Sequence, residues 1–121
     1  MREYKFTLKQ PIMPAVRMTR RGKWTSQRAQ AYMASREAIG YELKQQMIAN
    51  EWEILPGQTP LAVELSIGTD KMHTGDIDNQ LKSLLDSANK IVFPDDCWID
   101  SVHVWRYPSS EYQAAFTVWI R

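Results

Sequence analysis

Apolar and polar residues alternate in four stretches of the chain, and this two-residue period is typical of half-buried β-strands. The first shows the pattern most plainly, with Tyr4, Phe6 and Leu8 separated by polar residues. The segment YPSSEY, between the last two stretches, predicts a hairpin connection. The predicted strands are Tyr4–Leu8, Leu61–Ile67, Ile99–Tyr107 and Gln113–Ile120.

Two further stretches repeat their apolar residues at helical spacing. The first predicted helix begins at a Thr25 or Ser26 cap and fades near Asn50. Its buried stripe is predicted to be Tyr32, Ile39, Leu43 and Met47. The second predicted helix runs from about Asp76 to Lys90, and its apolar face is Ile77, Leu81, Leu84, Leu85 and Ala88.

The element order is therefore β-α-β-α-β-β, which predicts an α+β fold with helices packed on a mixed β-sheet. The length of 121 residues suits a single domain over residues 1–121. No apolar run approaches the ~20 residues that span a bilayer, so we expect no membrane partner. The polar N-terminus does not have the pattern of a signal peptide. The single cysteine, Cys97, favours a reducing, cytoplasmic location.

The net charge of +1 conceals an uneven distribution of charge. Residues 1–30 carry eight Lys or Arg and one Glu, whereas the remainder of the chain is net acidic. Four of the basic residues lie in one segment that has no periodic apolar pattern. This cluster of positive charge indicates either a polyanionic partner or a solvated basic loop. Its basic residues are Arg17, Arg20, Arg21 and Lys23.

Four aspartates flank the second predicted helix: Asp76 and Asp78 at its start, Asp95 and Asp96 after its end. Acidic residues at a helix start can simply favour the positive end of the helix dipole. If the fold brings both pairs together, however, such crowded carboxylates require a cation, and oxygen ligands suit Mg²⁺ or Mn²⁺. The sequence alone does not decide whether the pairs meet.

Lys82 lies four residues after Asp78, so both occupy one face of the predicted helix. The two residues form an ordinary ion pair, or Lys82 is a cation beside a metal site and contacts a phosphate oxygen. A divalent ion with a lysine suits phosphodiester hydrolysis. Other metal sites fit less well: the twelfth position of a calcium loop is Ser87, and His73 and His103 lack zinc spacing.

The stretch GDIDNQLKSLLDSANKIVFPDD resembles the signature of the RusA family of Holliday-junction resolvases of bacteria and their phages. That signature is an acidic D-x-D-N, a lysine on the next turn, a helix ending in D-A-L-N-like residues, and a D-D pair that opens a strand. The matching positions are Asp76, Asp78, Asn79, Lys82, Asp86, Asp95 and Asp96.

The resemblance implies a homodimeric, Mg²⁺- or Mn²⁺-dependent endonuclease without an organic cofactor, which cuts four-way junction DNA symmetrically. By position it makes Asp76, Asp78 and Asp96 the metal-binding carboxylates and Lys82 a catalytic or phosphate-contacting residue. Asp95 becomes an auxiliary acid, whereas Asn79 and Asp86 look structural. Trp98 and Ser101 depart from the residues common in the family at their positions.

Two alternatives stay open from the residues alone. The protein is a non-catalytic module that binds DNA junctions, in which the aspartates serve caps and turns, or it is a metal-dependent nuclease for other branched DNA. In the resolvase hypothesis, the phosphates of the DNA would be contacted by Arg17, Arg20, Arg21 and Lys23.

Overall fold

The computed structural model describes residues 3–15, 27–70 and 75–121. The elements follow the predicted β-α-β-α-β-β order, and a short 3₁₀ turn, Asp96–Trp98, precedes the third strand. The α+β prediction is confirmed. The elements are β1 (Glu3–Leu8), α1 (Gln27–Ala49), β2 (Leu61–Thr69), α2 (Ile77–Ala88), β3 (Ile99–Pro108) and β4 (Gln113–Ile120).

The strands form one mixed sheet in the order β1-β4-β2-β3. β2 and β3 are parallel, whereas β4 is antiparallel to both of its neighbours. Two parallel neighbours need a crossover connection, and α2 supplies it. The helix therefore runs back along the sheet, so that it begins near the carboxyl ends of β2 and β3 and ends near their amino ends.

The core lies between the helices and one face of the sheet. Alternate residues of the central strands meet there in register, as in the pairs Leu65–Phe116 and Val63–Val118. Aromatic rings extend this layer to the edge strand β1, because the ring of Phe6 stacks 5.9 Å from that of Phe116. The alternation of apolar and polar residues thus correctly predicts which side of each inner strand is buried.

The buried stripe predicted for α1 is confirmed, since Tyr32, Ile39, Leu43 and Met47 are all buried. The predicted cap residues Thr25 and Ser26 lie outside the described residues. Neither of the described helices is both long and apolar enough to cross a membrane.

The buried face of α2 differs from the predicted one. Leu84 and Ala88 are buried as expected, but Leu81 and Leu85 are only partly buried. The polar side chains of Gln80, Ser83 and Ser87 take the inner positions instead. The two helices approach closely at Gly40 of α1, where an added Cβ would lie 3.6 Å from the backbone carbonyl oxygen of Ser87.

We predict that Phe116→Ala lowers the free energy of unfolding by about 3–5 kcal/mol, because it empties a fully buried ring site. Urea denaturation of the purified protein measures the loss. Thr117→Ala is the matched control, since Thr117 lies on the same strand but on the opposite face, and we expect it to change stability by about 0.5 kcal/mol or less. Equal losses in the two variants would contradict the described core.

Candidate active site

The chain enters α2 through Gly75, which places the first acidic pair. Gly75 has φ +75°, and a Cβ there would lie 2.4 Å from Cγ of Pro14. Nη1 of Arg106 on β3 donates a 3.0 Å hydrogen bond to the Gly75 carbonyl oxygen. A glycine is therefore required on both conformational and steric grounds, and the helix start is held against β3 and the segment after β1.

Asp76 and Asp78 project from this helix start, and both are exposed. Asp76 stands at the N-cap position, but its side chain makes no capping hydrogen bond. Asp78 accepts one bond, 3.0 Å long, from the backbone N–H of Asn79. Capping therefore does not explain the Asp76 carboxylate, whose oxygens have the chemistry that a hard cation prefers.

Lys82 is exposed on the next turn of the same helix. The ion pairs of the described residues are Lys5–Glu3, His103–Glu64 and Arg121–Asp100, and Lys82 takes part in none of them. The ordinary ion pair with Asp78 does not form here. The ammonium group thus stays available to an anion near the acidic pair.

Asp95 and Asp96 lie at the other end of α2, in the turn that leads into β3. Asp95 caps this turn by accepting a 3.0 Å hydrogen bond from the Cys97 N–H. That hydrogen bond lowers the pKa of Asp95 below its ordinary value. Partial burial, together with a hydrogen bond to Asp95, raises the pKa of Asp96. The pKa values of these two neighbouring carboxyl groups therefore shift in opposite directions.

The neighbours of Asp96 place it beside the end of α2. The side chain of Asn89 acts to lower the pKa of Asp96, and the charge of Asp86 acts to raise it. Asp86 in turn accepts a 3.3 Å hydrogen bond from the hydroxyl of Tyr32 on α1. The structural role expected for Asp86 agrees with this contact between the two helices.

The two acidic pairs do not meet within one chain. They are separated by the 12 residues of α2, which span about 18 Å. Residues 3–15, 27–70 and 75–121 contain no group of three or more His, Cys, Asp or Glu side chains that could hold a metal ion. A site that uses Asp76, Asp78 and Asp96 together thus needs more than one copy of the chain.

A cavity of about 360 Å³ lies beside the start of α2, and the sequence patterns did not reveal it. Arg106 and Gln80 line it with apolar side chains from the segment after β1. The sequence carried one indication of this cavity: Gln80 is a polar residue within the apolar pattern of the second predicted helix. Its buried Oε1 has no hydrogen-bond partner in the described structure, and such an atom costs about 1–3 kcal/mol.

The basic residues predicted to contact DNA, namely Arg17, Arg20, Arg21 and Lys23, lie outside the described residues. Their role stays a prediction.

A comparison with protein-family models matches residues 11–121 to the model described as Endodeoxyribonuclease RusA. The match covers nearly the whole chain and includes both acidic pairs. The chain belongs to the RusA family. No individually curated protein matches it. RusA membership makes the protein a nuclease of the endodeoxyribonuclease class, from a family that resolves Holliday junctions in DNA recombination and repair.

The pH dependence of stability tests the environment of Asp96. A raised pKa means that the folded state binds the Asp96 proton more tightly than the unfolded state, so this group favours folding below its ordinary pKa of 3.8. That contribution is lost as pH rises through the folded pKa. In EDTA, we expect Asp96→Asn to have a higher Tm than the wild type at pH 7, and the difference to shrink at pH 3.

The matched control for this measurement is Asp100→Asn. Asp100 lies 2.8 Å from Nη1 of Arg121, so removal of its charge breaks an ion pair instead of relieving repulsion. We expect Asp100→Asn to leave the Tm at pH 7 unchanged or slightly lower. A Tm for Asp96→Asn below that of the wild type at pH 7 would contradict the described surroundings of Asp96.

Proposed function

We propose that this RusA-family protein is a Mg²⁺- or Mn²⁺-dependent resolvase that cuts four-way DNA junctions symmetrically, as a homodimer, in the cytoplasm. One observation carries the proposal: α2 begins with two exposed carboxylates, neither of them ion-paired among the described residues, and Lys82 follows one turn later. Holding a divalent cation against a phosphate explains why these like charges are kept together.

The residues present fit such an ion. Mg²⁺ in nuclease-type sites commonly uses one or two carboxylates together with substrate phosphate and water, and Asp76 and Asp78 supply the carboxylates. When bound, the ion lowers the pKa of water and offsets charge on the phosphate. Lys82 contacts a non-bridging phosphate oxygen and stabilises the negative charge that develops there. The hydrogen bond from the Arg106 guanidinium to the Gly75 carbonyl oxygen keeps the acidic pair in place during the reaction.

Asp96 joins this site from a second copy of the chain. β3 is an edge strand, because among the described strands it pairs with β2 alone. Trp98, Val102 and Trp105 on or next to it are 37%, 50% and 36% exposed, and an apolar edge of this kind favours association. We propose that two β3 edges pair antiparallel about a two-fold axis.

This arrangement brings the separated acids together. In an antiparallel pair, the amino end of one β3 lies beside the carboxyl end of the other. Asp95 and Asp96 lie at the amino end, whereas Asp76 and Asp78 lie near the carboxyl end, where Arg106 contacts Gly75. Asp76 and Asp78 would therefore face Asp96 of the partner subunit, with Asp95 as an auxiliary acid. Two equivalent sites result, as symmetric cutting of a junction requires.

The basic segment completes the proposal. Arg17, Arg20, Arg21 and Lys23 follow the segment that ends at Ala15, whose N–H donates a 3.2 Å hydrogen bond to the carbonyl oxygen of Asn79 on α2. The chain thus enters the basic segment beside the acidic pair. Phosphate contacts from these cations would hold a junction arm over the site.

We predict that Asp76→Asn and Asp78→Asn each reduce cleavage of a synthetic four-way junction at least 100-fold in Mg²⁺. Both variants should bind the junction as tightly as the wild type or more tightly, because a negative charge facing DNA is removed. Gel assays with and without Mg²⁺ measure cleavage, and mobility shifts in Ca²⁺ measure binding. Asp100→Asn, an exposed aspartate already paired with Arg121, is the control and should cleave normally.

The same assay discriminates between the alternative functions. Metal-dependent nicking retained in both Asp76→Asn and Asp78→Asn would refute the assignment of these residues. Junction binding by the wild type without cleavage in Mg²⁺ or Mn²⁺ would identify a non-catalytic binding module. Equal cleavage of junctions, flaps and duplex would identify a nuclease of broader specificity.

Mixed dimers test whether two chains share each site. We predict that Asp76→Asn and Asp96→Asn homodimers are inactive, whereas the heterodimer of the two variants nicks one strand of a junction at about half the wild-type rate. The reason is that one of its sites receives both substitutions and the other site receives neither. Co-expression with two different affinity tags yields the heterodimer.

An inactive heterodimer would contradict this sharing, because each site would then draw all its acids from one chain. An active Asp96→Asn homodimer would remove Asp96 from the site altogether. A heterodimer of Asp76→Asn with Asp78→Asn is the matched control. It carries one substitution in each site in the proposed dimer and should be inactive.

A further inference from the structure

Arg106 is a charged residue on the helix-facing side of the sheet, where its neighbours are apolar. In the register of β2 and β3 it lies opposite Ile67, which is fully buried in the core. Val104, two residues earlier on β3, lies on the same side and packs against the core. The partner that Arg106 meets is a backbone atom, because its Nη1 donates a 3.0 Å hydrogen bond to the Gly75 carbonyl oxygen.

This hydrogen bond leaves most of the guanidinium group unused. Arginine has five N–H donors, and the bond to Gly75 uses one of them. The ion pairs of the described residues involve Lys5, His103 and Arg121, so Arg106 has no carboxylate partner among these residues. The bond to Gly75 is exposed, and the side chain lines the cavity beside the start of α2. The guanidinium is therefore open to an anion from solvent.

The position of this guanidinium relates it to the acidic pair. Gly75 directly precedes Asp76, so Arg106 contacts the chain just before the pair, whereas Lys82 lies on the next turn of α2 after it. The carboxylates are thus flanked by two cations, and neither cation belongs to an ion pair of the described residues. A DNA strand carries its negative charges in a regular row, so one cation on each side of the cutting position suits successive phosphates.

We propose that Arg106 binds the phosphate adjacent to the scissile one, so that Lys82 and Arg106 hold two successive phosphates of the cut strand. The inference rests on the proposed function, and it adds a residue that contacts the substrate. A guanidinium suits this role, because its fork of donors can bind a phosphate with two hydrogen bonds. The bond from Nη1 to Gly75 fixes the group in place before the strand arrives, which lowers the entropy cost of binding.

The cavity itself is not the place of this phosphate. Its walls are mostly apolar, and the exposed residue Asp70 also lines it. The charge of Asp70 repels a phosphate inside the cavity, whereas a divalent ion at Asp76 and Asp78 attracts the strand to the start of α2. We therefore expect Arg106 to bind the phosphate where the guanidinium borders Gly75.

Junctions that lack one phosphate charge provide the test. In a synthetic four-way junction, each phosphate near the branch point is replaced in turn by a neutral methylphosphonate, and mobility shifts in Ca²⁺ measure binding. We expect one position at which the replacement weakens binding by the wild type about tenfold but leaves binding by Arg106→Gln unchanged. Arg106→Gln should also lower the slope of log K against log salt concentration by about one. In Mg²⁺, the wild-type cut should map next to the selected phosphate.

Two further variants separate phosphate binding from support of the backbone. Arg106→Lys keeps the positive charge without the fork of donors, so it should retain part of the loss at the selected phosphate. Arg121→Gln is the matched control, because Arg121 follows a strand of the same sheet, pairs with Asp100 at 2.8 Å and lies outside the cavity wall. This control should respond like the wild type at every phosphate.

The outcomes distinguish this proposal from the proposed function. A folded Arg106→Gln that keeps the wild-type loss at every phosphate would overturn the proposal, and Arg106 would then serve only to hold Gly75. A selected phosphate away from the cut would overturn it as well. A wild type that binds the junction but cuts no strand would refute the proposed function, and the binding measurements would still decide whether Arg106 contacts a phosphate.

Discussion

The length of α2 is the constraint on which the arrangement of the site depends. Because β2 and β3 are parallel neighbours, the chain must return along the sheet between them, and α2 makes that return. One acidic pair is left at each end of a rigid helix about 18 Å long. No side-chain rotation closes such a gap. The separation of the acids follows from strand direction, and in the proposed dimer a second chain with the opposite orientation would bring them together.

The start of α2 is held in place by contacts from several separate parts of the chain. Arg106 reaches it from β3, Pro14 packs against Gly75, and Ala15 bonds to Asn79. The carboxylates of Asp76 and Asp78 repel each other, so a rigid backbone is needed to hold them together. In the proposed function this rigidity matters, because catalysis depends on position within a fraction of an ångström. The same contacts enclose the cavity at Gln80, so that support of the acids and the shape of the pocket are one structural feature.

The sequence predicts much of this fold because alternation and helical spacing report burial directly. Residues such as Phe116 and Leu43 had to face the core wherever their neighbours lay. The inner face of α2 was predicted less well, because the polar residues Gln80, Ser83 and Ser87 are buried there, whereas Leu81 is only partly buried. Sequence spacing correctly identified four acids around one helix. It could not state that the strands beside that helix are parallel, and strand direction decides whether acids at its two ends meet.

The exposed edge strand β3 and the separation of the two acidic pairs have one explanation in the proposed dimer. An exposed edge with Trp98, Val102 and Trp105 is a liability for an isolated chain, because unpaired strand edges promote aggregation. In the proposed dimer, pairing of two such edges would remove that liability and, in the antiparallel orientation, would carry Asp96 across to Asp76 and Asp78. Activity would then be confined to the dimer, whose two sites are related by the symmetry of the junction itself. A monomer would hold Asp76 and Asp78 at one end of α2 and Asp95 and Asp96 at the other, so neither end would carry a complete site. Such a monomer would not cut a single strand of the junction on its own.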